Sequence, residues 1–414
     1  MNCQRAAFYF TVLTLIPGAS LLPAADTPLL KTRMKLESRQ PVKIVCLGDS
    51  VTGIYYHSGG MRAYPEMIEI GLKKLDPAAK VTVINSGISG QSTVDGLNRL
   101  QKDVLDQKPD LVTVMFGLND IVRVPQPDFE ANLKTMVAKC REIGAEVMFC
   151  TPNGIYETPG RPISKLEDYN QAMKAVAAET KSAFCDIYGA YQAVKAQSEL
   201  EFRLLCSDPF HPNMDGHKLN AEMICESITG KKVSLSEVGP PTPALAHVAK
   251  KVAEGKPIHV HAMTPFDKWI GAALKSQFPN AEIIVTPWKI EGETIVQLHV
   301  ASQGVRALNP RPDLVVVAIP LEVTPLLSKP EEVALADYVW TMNFALSFGL
   351  QEWDVIGIAP SVLHAKLSDA DQDRENFARR MINAQHIDLI TRPQDNTDEP
   401  SAVLTEWMKR LKQE

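Results

Sequence analysis

The chain has 414 residues, 45% of them hydrophobic and 22% charged, an ordinary globular composition with room for two domains of typical size. Lys and Arg total 43 against 49 Asp and Glu, a formal net charge of −6. No basic tract supplies the electrostatic footprint of a nucleic-acid binder, so neither DNA nor RNA is an expected partner.

The first 25 residues read as a secretory signal peptide. A short polar, basic start (Asn2, Gln4, Arg5) precedes an apolar stretch from Ala6 to Leu22 and small residues at Pro23-Ala24-Ala25. Pro17 and Gly18 interrupt the run, and no segment of about 20 apolar residues recurs, which disfavours a membrane anchor. No Cys follows the run where lipidation would require one. The expected product is a soluble exported protein, periplasmic or extracellular, with no integral membrane span after cleavage. Export permits disulfides. Yet Cys46, Cys150 and Cys185 sit in β-like runs and Cys140 on an apolar helical stripe, so buried free thiols are expected, with a Cys206–Cys225 pair as the one exception. No CxxC or His-Glu-x-x-His spacing points to a metal, and no cofactor is expected.

From residue 42 onward, β-rich runs alternate with helical patterns, the signature of parallel strands joined by crossover helices. Strands are predicted near 42–47, 81–84, 110–116, 145–150 and 183–187. Between them, Tyr64, Met67, Ile68, Gly71, Leu72 and Leu75 repeat at helical spacing, as do Phe129, Leu133, Met136, Val137 and Cys140. Asp128 is placed to cap the second of these helices and Gly144 to stop it; Ser164 with Glu167 forms a capping-box pattern before the next.

The Pro-rich stretch Gly239-Pro240-Pro241-Thr242-Pro243 marks a boundary, because proline resists continuation of helix or sheet. Beyond it the pattern restarts. Lys256-Pro257-Ile258-His259-Val260 echoes Pro41-Val42-Lys43-Ile44-Val45, and Arg311-Pro312-Asp313-Leu314 echoes Lys108-Pro109-Asp110-Leu111. A duplicated α/β domain is inferred. The copy lacks the first unit's polar blocks: Thr264 is aligned with Ser50, Ala262 with Gly48 and Glu322 with Asn119. Such a unit is structural or ligand-binding, since a threonine with no imidazole base has no activated oxygen. His259 and His261 share one strand face, but no third ligand accompanies them.

Chemistry concentrates in four blocks of the first unit. Gly48-Asp49-Ser50 follows the first strand, Asn85-Ser86-Gly87-Ile88-Ser89-Gly90-Gln91 the second and Gly117-Leu118-Asn119-Asp120 the third, while Asp208-Pro209-Phe210-His211 lies in a loop before a helical pattern. Ligands of open α/β sheets sit outside the carboxyl ends of the strands, so the first three blocks face one rim. A serine hydroxyl needs an imidazole to take its proton and an acid to orient that imidazole, and all three groups are present.

This arrangement resembles the SGNH hydrolases, also called GDSL esterases and lipases, over about residues 42–230. The resemblance implies a flavodoxin-like three-layer α/β/α fold with a parallel sheet, followed here by a second, degenerate α/β unit. It implies Ser50 as nucleophile, His211 as base and Asp208 as acid, with an oxyanion hole from Ser50, Gly90 and Asn119 and an acyl-enzyme intermediate. The expected organisation is a signal peptide at 1–25, a catalytic domain at 35–235, a linker at 236–243, a degenerate unit at 244–395 and a C-terminal helix or tail at 396–414.

Rival readings of single residues are plain ones. Ser50 could cap a helix, Asn119 could be a turn residue, and His57 and His217 are alternative bases. Asp49 and Asp120 are expected to bond local backbone, while Tyr55, Tyr56, Arg62 and Arg123 could line a polar pocket mouth. A nucleophile-elbow hydrolase needs G-x-S-x-G, whereas Gly48-Asp49-Ser50-Val51-Thr52 ends in threonine. The expected activity is hydrolysis of short-chain acyl esters, for instance acetyl on carbohydrate, with a small-molecule or polysaccharide substrate. The alternatives are a lipase, lysophospholipase or thioesterase of the same family and, from another class, a non-catalytic carbohydrate-binding or scaffold protein.

Overall fold

A computed structural model describes residues 28–346 and 352–411. The expected signal peptide lies outside the described residues. Among the described residues, ten strands form two five-stranded sheets in which every pairing is parallel. The first contains β1 (Val42–Gly48), β2 (Val81–Gly87), β3 (Leu111–Met115), β4 (Glu146–Cys150) and β5 (Ala183–Cys185) in the order β2-β1-β3-β4-β5. That is the flavodoxin-like order, with its switch point between β1 and β3. The second sheet contains β6 (Ile258–Met263), β7 (Ile283–Trp288), β8 (Leu314–Val317), β9 (Asp354–Ile358) and β10 (Asp388–Ile390) in the order β7-β6-β8-β9-β10, which repeats the first.

Central strands of a sheet covered on both faces are apolar throughout, and β3 is buried at all five positions. The helix Tyr64–Leu75 buries the predicted stripe Tyr64, Met67, Ile68, Gly71 and Leu72, while Leu75 stays half-buried. Gly71 is glycine for a packing reason: a Cβ there would stand 2.8 Å from Cys225 Sγ on the adjoining helix Met214–Thr229. Each sheet has its own apolar core, one around Leu47, Val114, Phe116 and Phe149, the other around Val260, Val316, Tyr338 and Phe377. The helix Leu30–Glu37 straddles the expected domain start at 35 and docks on the first sheet. The C-terminal helix Pro400–Arg410 sends Val403, Leu404 and Met408 into the second core.

Both halves use the same hydrogen bonds to tie a helix to the sheet. Asp110 accepts the N–H of Lys43 at 2.8 Å and pairs with Lys35; Asp313 accepts the N–H of His259 at 2.8 Å and pairs with Lys251. Glu146 accepts the N–H groups of Lys31 and Thr32, and Asp354 those of His247 and Val248. Glu146 and Asp354, each the first residue of its strand, thereby satisfy orphan donors of a helix N-terminus.

Several local expectations are corrected. Helix Gln126–Glu142 is entered through Pro125, with Asp128 inside its first turn; helix Ile163–Glu179 is entered through Pro162, so Ser164 is not its cap. The fixed φ of proline suits the entry to a helix and displaces the capping side chain. All six cysteines among the described residues are free and buried. Cys206 Sγ faces Phe202 O at 3.6 Å and Cys225 Sγ faces Ile68 O at 3.6 Å, so the expected pair does not form. The alignment of the two halves also shifts by two residues. Ile44 and Val260 hold the same register against β3 and β8, so Thr264 corresponds to Gly48 and buried Phe266 to Ser50.

Candidate active site

The carboxyl ends of β1, β2 and β3 bring the first three blocks to one rim, with Gly48 in register with both Gly87 and Met115. Asn85, Ser86 and Gly87 extend β2 beyond its predicted end. Ser50 stands on the turn after β1. Arg99, on the helix Thr93–Asp103, donates to Gly48 O at 2.9 Å, Ser86 Oγ at 2.7 Å and Gln91 Oε1 at 2.6 Å, so one guanidinium links the ends of β1 and β2 to the second block. A single arginine with helical neighbours gives no sign of this role in the sequence.

The Asp208–His211 loop meets that rim from the side. Ser50 Oγ lies 2.8 Å from His211 Nε2, and His211 Nδ1 lies 2.7 Å from Asp208 Oδ2. Asp208 Oδ1 accepts the N–H groups of Phe210 at 2.8 Å and His211 at 2.9 Å, which fixes the carboxylate on its own loop. Burial alone would raise the Asp208 carboxyl, but the charge and hydrogen bond of His211 hold it down to about 2.

Gly90 has φ +74, a left-handed conformation that favours glycine, and a Cβ there would meet nothing within 4 Å. Backbone conformation by itself favours glycine at this site. Among the described residues no protein acceptor takes the N–H of Ser50 or Gly90. The Asn119 side-chain amide donates to Gln91 O at 2.9 Å and, at a longer 3.3 Å, to Asp49 Oδ2, and its Oδ1 accepts from Arg161 at 3.2 Å. Arg161 also donates to Leu118 O and lies 4.3 Å over the Phe210 ring, joining the third and fourth blocks. It lies in the loop after β4, where nothing in the sequence singles it out.

Asp49 accepts the N–H of Val51 at 2.9 Å, and burial raises its carboxyl to about 6 against that bond. Asp120 accepts from the N–H and hydroxyl of Thr93. Of the rival bases, His217 is fully buried, its Nδ1 accepts the N–H of Tyr64 at 3.3 Å, and burial lowers its pKa to about 3. His57 meets the carbonyl oxygen of Ser50 at 3.0 Å. Tyr55 accepts the N–H of Ser89 at 2.7 Å, and Arg123 donates to Gly90 O. Arg62 donates to Gly239 O instead of facing this rim.

At the matching edge of the second sheet, a cleft of about 550 Å³ is lined by Thr264, Phe266, Ile290, Ala318, Glu322 and Ile358, among others. Thr264 Oγ1 is engaged by Trp288 O and the N–H of Ile290, not by an imidazole. His261 stacks on Trp288 and meets Thr286 Oγ1 at 3.2 Å. No group of three His, Cys, Asp or Glu side chains suited to a metal occurs among the described residues. Nor is any described helix long and apolar enough to cross a membrane.

The model of the GDSL-like Lipase/Acylhydrolase family matches residues 46–219. An acetylxylan esterase of Geobacillus stearothermophilus is 30% identical over 169 residues, 38% of this chain and 76% of that protein. An uncharacterized lipoprotein of Bacillus subtilis is 28% identical over 201 residues, 46% of this chain and 81% of its own length. The esterase TesA of Pseudomonas aeruginosa is 29% identical over 147 residues, covering 35% and 70% of the two chains. The matched span contains all four polar blocks, strands β2 to β5 and the carboxyl end of β1. This chain belongs to the GDSL-like lipase/acylhydrolase family and is a carboxylic ester hydrolase.

Proposed function

We propose that this protein is an exported serine esterase that removes short acyl groups, acetyl on carbohydrate above all, through a Ser50–His211–Asp208 triad. The observation that carries the proposal is the pair of contacts at His211, 2.8 Å to Ser50 Oγ and 2.7 Å to Asp208. In this mechanism Ser50 Oγ attacks the ester carbonyl as His211 Nε2 takes its proton, while Asp208 holds Nδ1–H and balances the imidazolium. The oxyanion is met by the N–H groups of Ser50 and Gly90 and by the Asn119 amide, whose longer bond to Asp49 is the one it would exchange. His211 then protonates the leaving alcohol. Water, deprotonated by the same imidazole, attacks the acyl-enzyme and releases the acid.

Acetyl-carbohydrate is supported by likeness to a protein named acetylxylan esterase, and export by the N-terminal pattern and likeness to a lipoprotein. We assign the catalytic unit to 35–235, the linker to 236–243 and a catalytically silent unit to 244–395, whose core the C-terminal helix joins. The eroded edge of that unit, with Phe266 at the serine's register and Glu322 at that of Asn119, supports silence.

Hydrolysis of p-nitrophenyl acetate, butyrate and octanoate by the mature chain and by Ser50→Ala tests this. Acetate turnover abolished by the substitution is expected, with acetate released from acetylated xylo-oligosaccharide. Equal rates in both proteins would remove Ser50 from the mechanism, and a preference for octanoate would replace the acetyl assignment with a lipase one.

A further inference from the structure

The segment from Cys206 to Met214 carries both Asp208 and His211, and the second unit holds it at two points. Asn343, fully buried on the helix Glu332–Ala345, donates from Nδ2 to Ser207 Oγ at 2.7 Å. At the other end, Ala384 O accepts the N–H of Met214 at 2.8 Å. Ser207 is itself fully buried, immediately precedes Asp208, and donates its N–H to His211 O at 2.8 Å. It therefore closes the turn on which the acid and the base meet. Leu335 and Ala336 of the same helix line a narrow crevice with Asp208 and Pro209, and Leu204 is part of the second unit's core.

The first unit holds other points of this segment. Tyr156 N–H donates to Pro209 O at 2.9 Å, Asn153 to Phe210 O at 3.1 Å, and Asn213 to Leu204 O at 2.6 Å. The Ser207 hydroxyl is met by Asn343, from the other unit. Apolar side chains would bury this interface without any desolvation cost, whereas a directed bond fixes where Ser207 sits. Triad geometry is sensitive at this scale, since displacements of about 0.5 Å degrade a catalytic constellation.

We propose that Asn343 is a positioning residue for the Asp208–His211 pair, acting through Ser207, and that the second unit thereby completes the catalytic loop. The proposal rests on the esterase reading of that pair, so its test includes a signal that does not need turnover.

The Nδ1 proton between His211 and Asp208 is read as a low-field proton resonance, identified by its loss in His211→Ala. In the full-length chain, Ser207→Ala and Asn343→Ala are each expected to broaden or shift this resonance and to lower kcat on p-nitrophenyl acetate about tenfold, with KM within about twofold. The double variant is expected to lose no more than the weaker single one, because both remove one interaction. Ser207→Ala removes a single oxygen and guards against misfolding of Asn343→Ala. An unchanged resonance in both single variants overturns the proposal whether or not the protein hydrolyses esters. Losses that multiply in the double variant overturn it as well. Absence of turnover in the wild-type chain, with the resonance still responding, would sink the esterase reading alone.

Discussion

His57 lies against His211 with ring centroids 3.8 Å apart and planes inclined by 24°, and its Nε2 stands 3.0 Å from the carbonyl oxygen of Ser50. A carbonyl accepts, so Nε2 carries the proton of the ring. Burial, and then the charge of His211, hold the His57 pKa well below 6.5. In the proposed mechanism His211 is therefore stacked on a neutral ring, which does not oppose the imidazolium it would become.

His57→Phe keeps a ring against His211 and removes the donor to Ser50 O, leaving a buried carbonyl unpaired. That costs about 1–3 kcal/mol. A drop of about tenfold in kcat is expected, with an acid limb of kcat/KM that still titrates as one proton in both proteins. A two-proton limb in the wild type would show that His57 ionises in the working range.

Asn119 is held in place by Gln91, Asp49 and Arg161, so its amide needs little reorganisation to meet an oxyanion. Asn119→Ala is expected to lower kcat by about 10²- to 10³-fold, with KM nearly unchanged. An effect confined to KM would assign Asn119 to substrate binding.

Arg99 ties Gly48, Ser86 and Gln91 with three bonds from one planar group. Lysine retains the charge but not the fork. Arg99→Lys should destabilise the chain by about 1–3 kcal/mol in urea unfolding and lower kcat as the Ser50 and Gly90 donors lose alignment. Unaltered stability and rate would leave Arg99 without the positioning role described above.

His386 is buried beside the first unit, where burial and the charges of Lys218 and Arg62 lower its pKa to about 3. The unfolded chain binds a proton here near 6.5, so between pH 6.5 and 3 unfolding takes up a proton and stability falls as pH falls. His386→Phe removes that penalty. Relative to wild type it should gain about 2 kcal/mol at pH 5 over its difference at pH 8. Parallel stability profiles across that range would contradict the assignment.

The candidate site was legible where chemistry coincides with chain order. Ser50, Gly90 and Asn119 each follow a strand that hydrophobic periodicity locates, and Asp208 and His211 are near neighbours in one loop. Parallel strands place such ends on one rim by topology alone. Helix entries were misread at Asp128 and Ser164 because Pro125 and Pro162 took the entry position, a local competition that residue preferences do not rank. The two-residue error at Thr264 arose because an echo in sequence carries no register, whereas backbone pairing at Val260 does.

The amino-acid sequence by itself determined the alternation of strands and helices, the restart after the Pro-rich stretch and the residues able to carry acyl transfer. These are short-range properties, fixed by side-chain period and by the identity of functional groups. Only the tertiary structure decided that Arg99 and Arg161 bind the blocks together, that His57 stacks on His211 and that Asn343 reaches Ser207. Each of those contacts joins separate elements, and its geometry depends on how buried faces pack, which no single stretch of chain encodes.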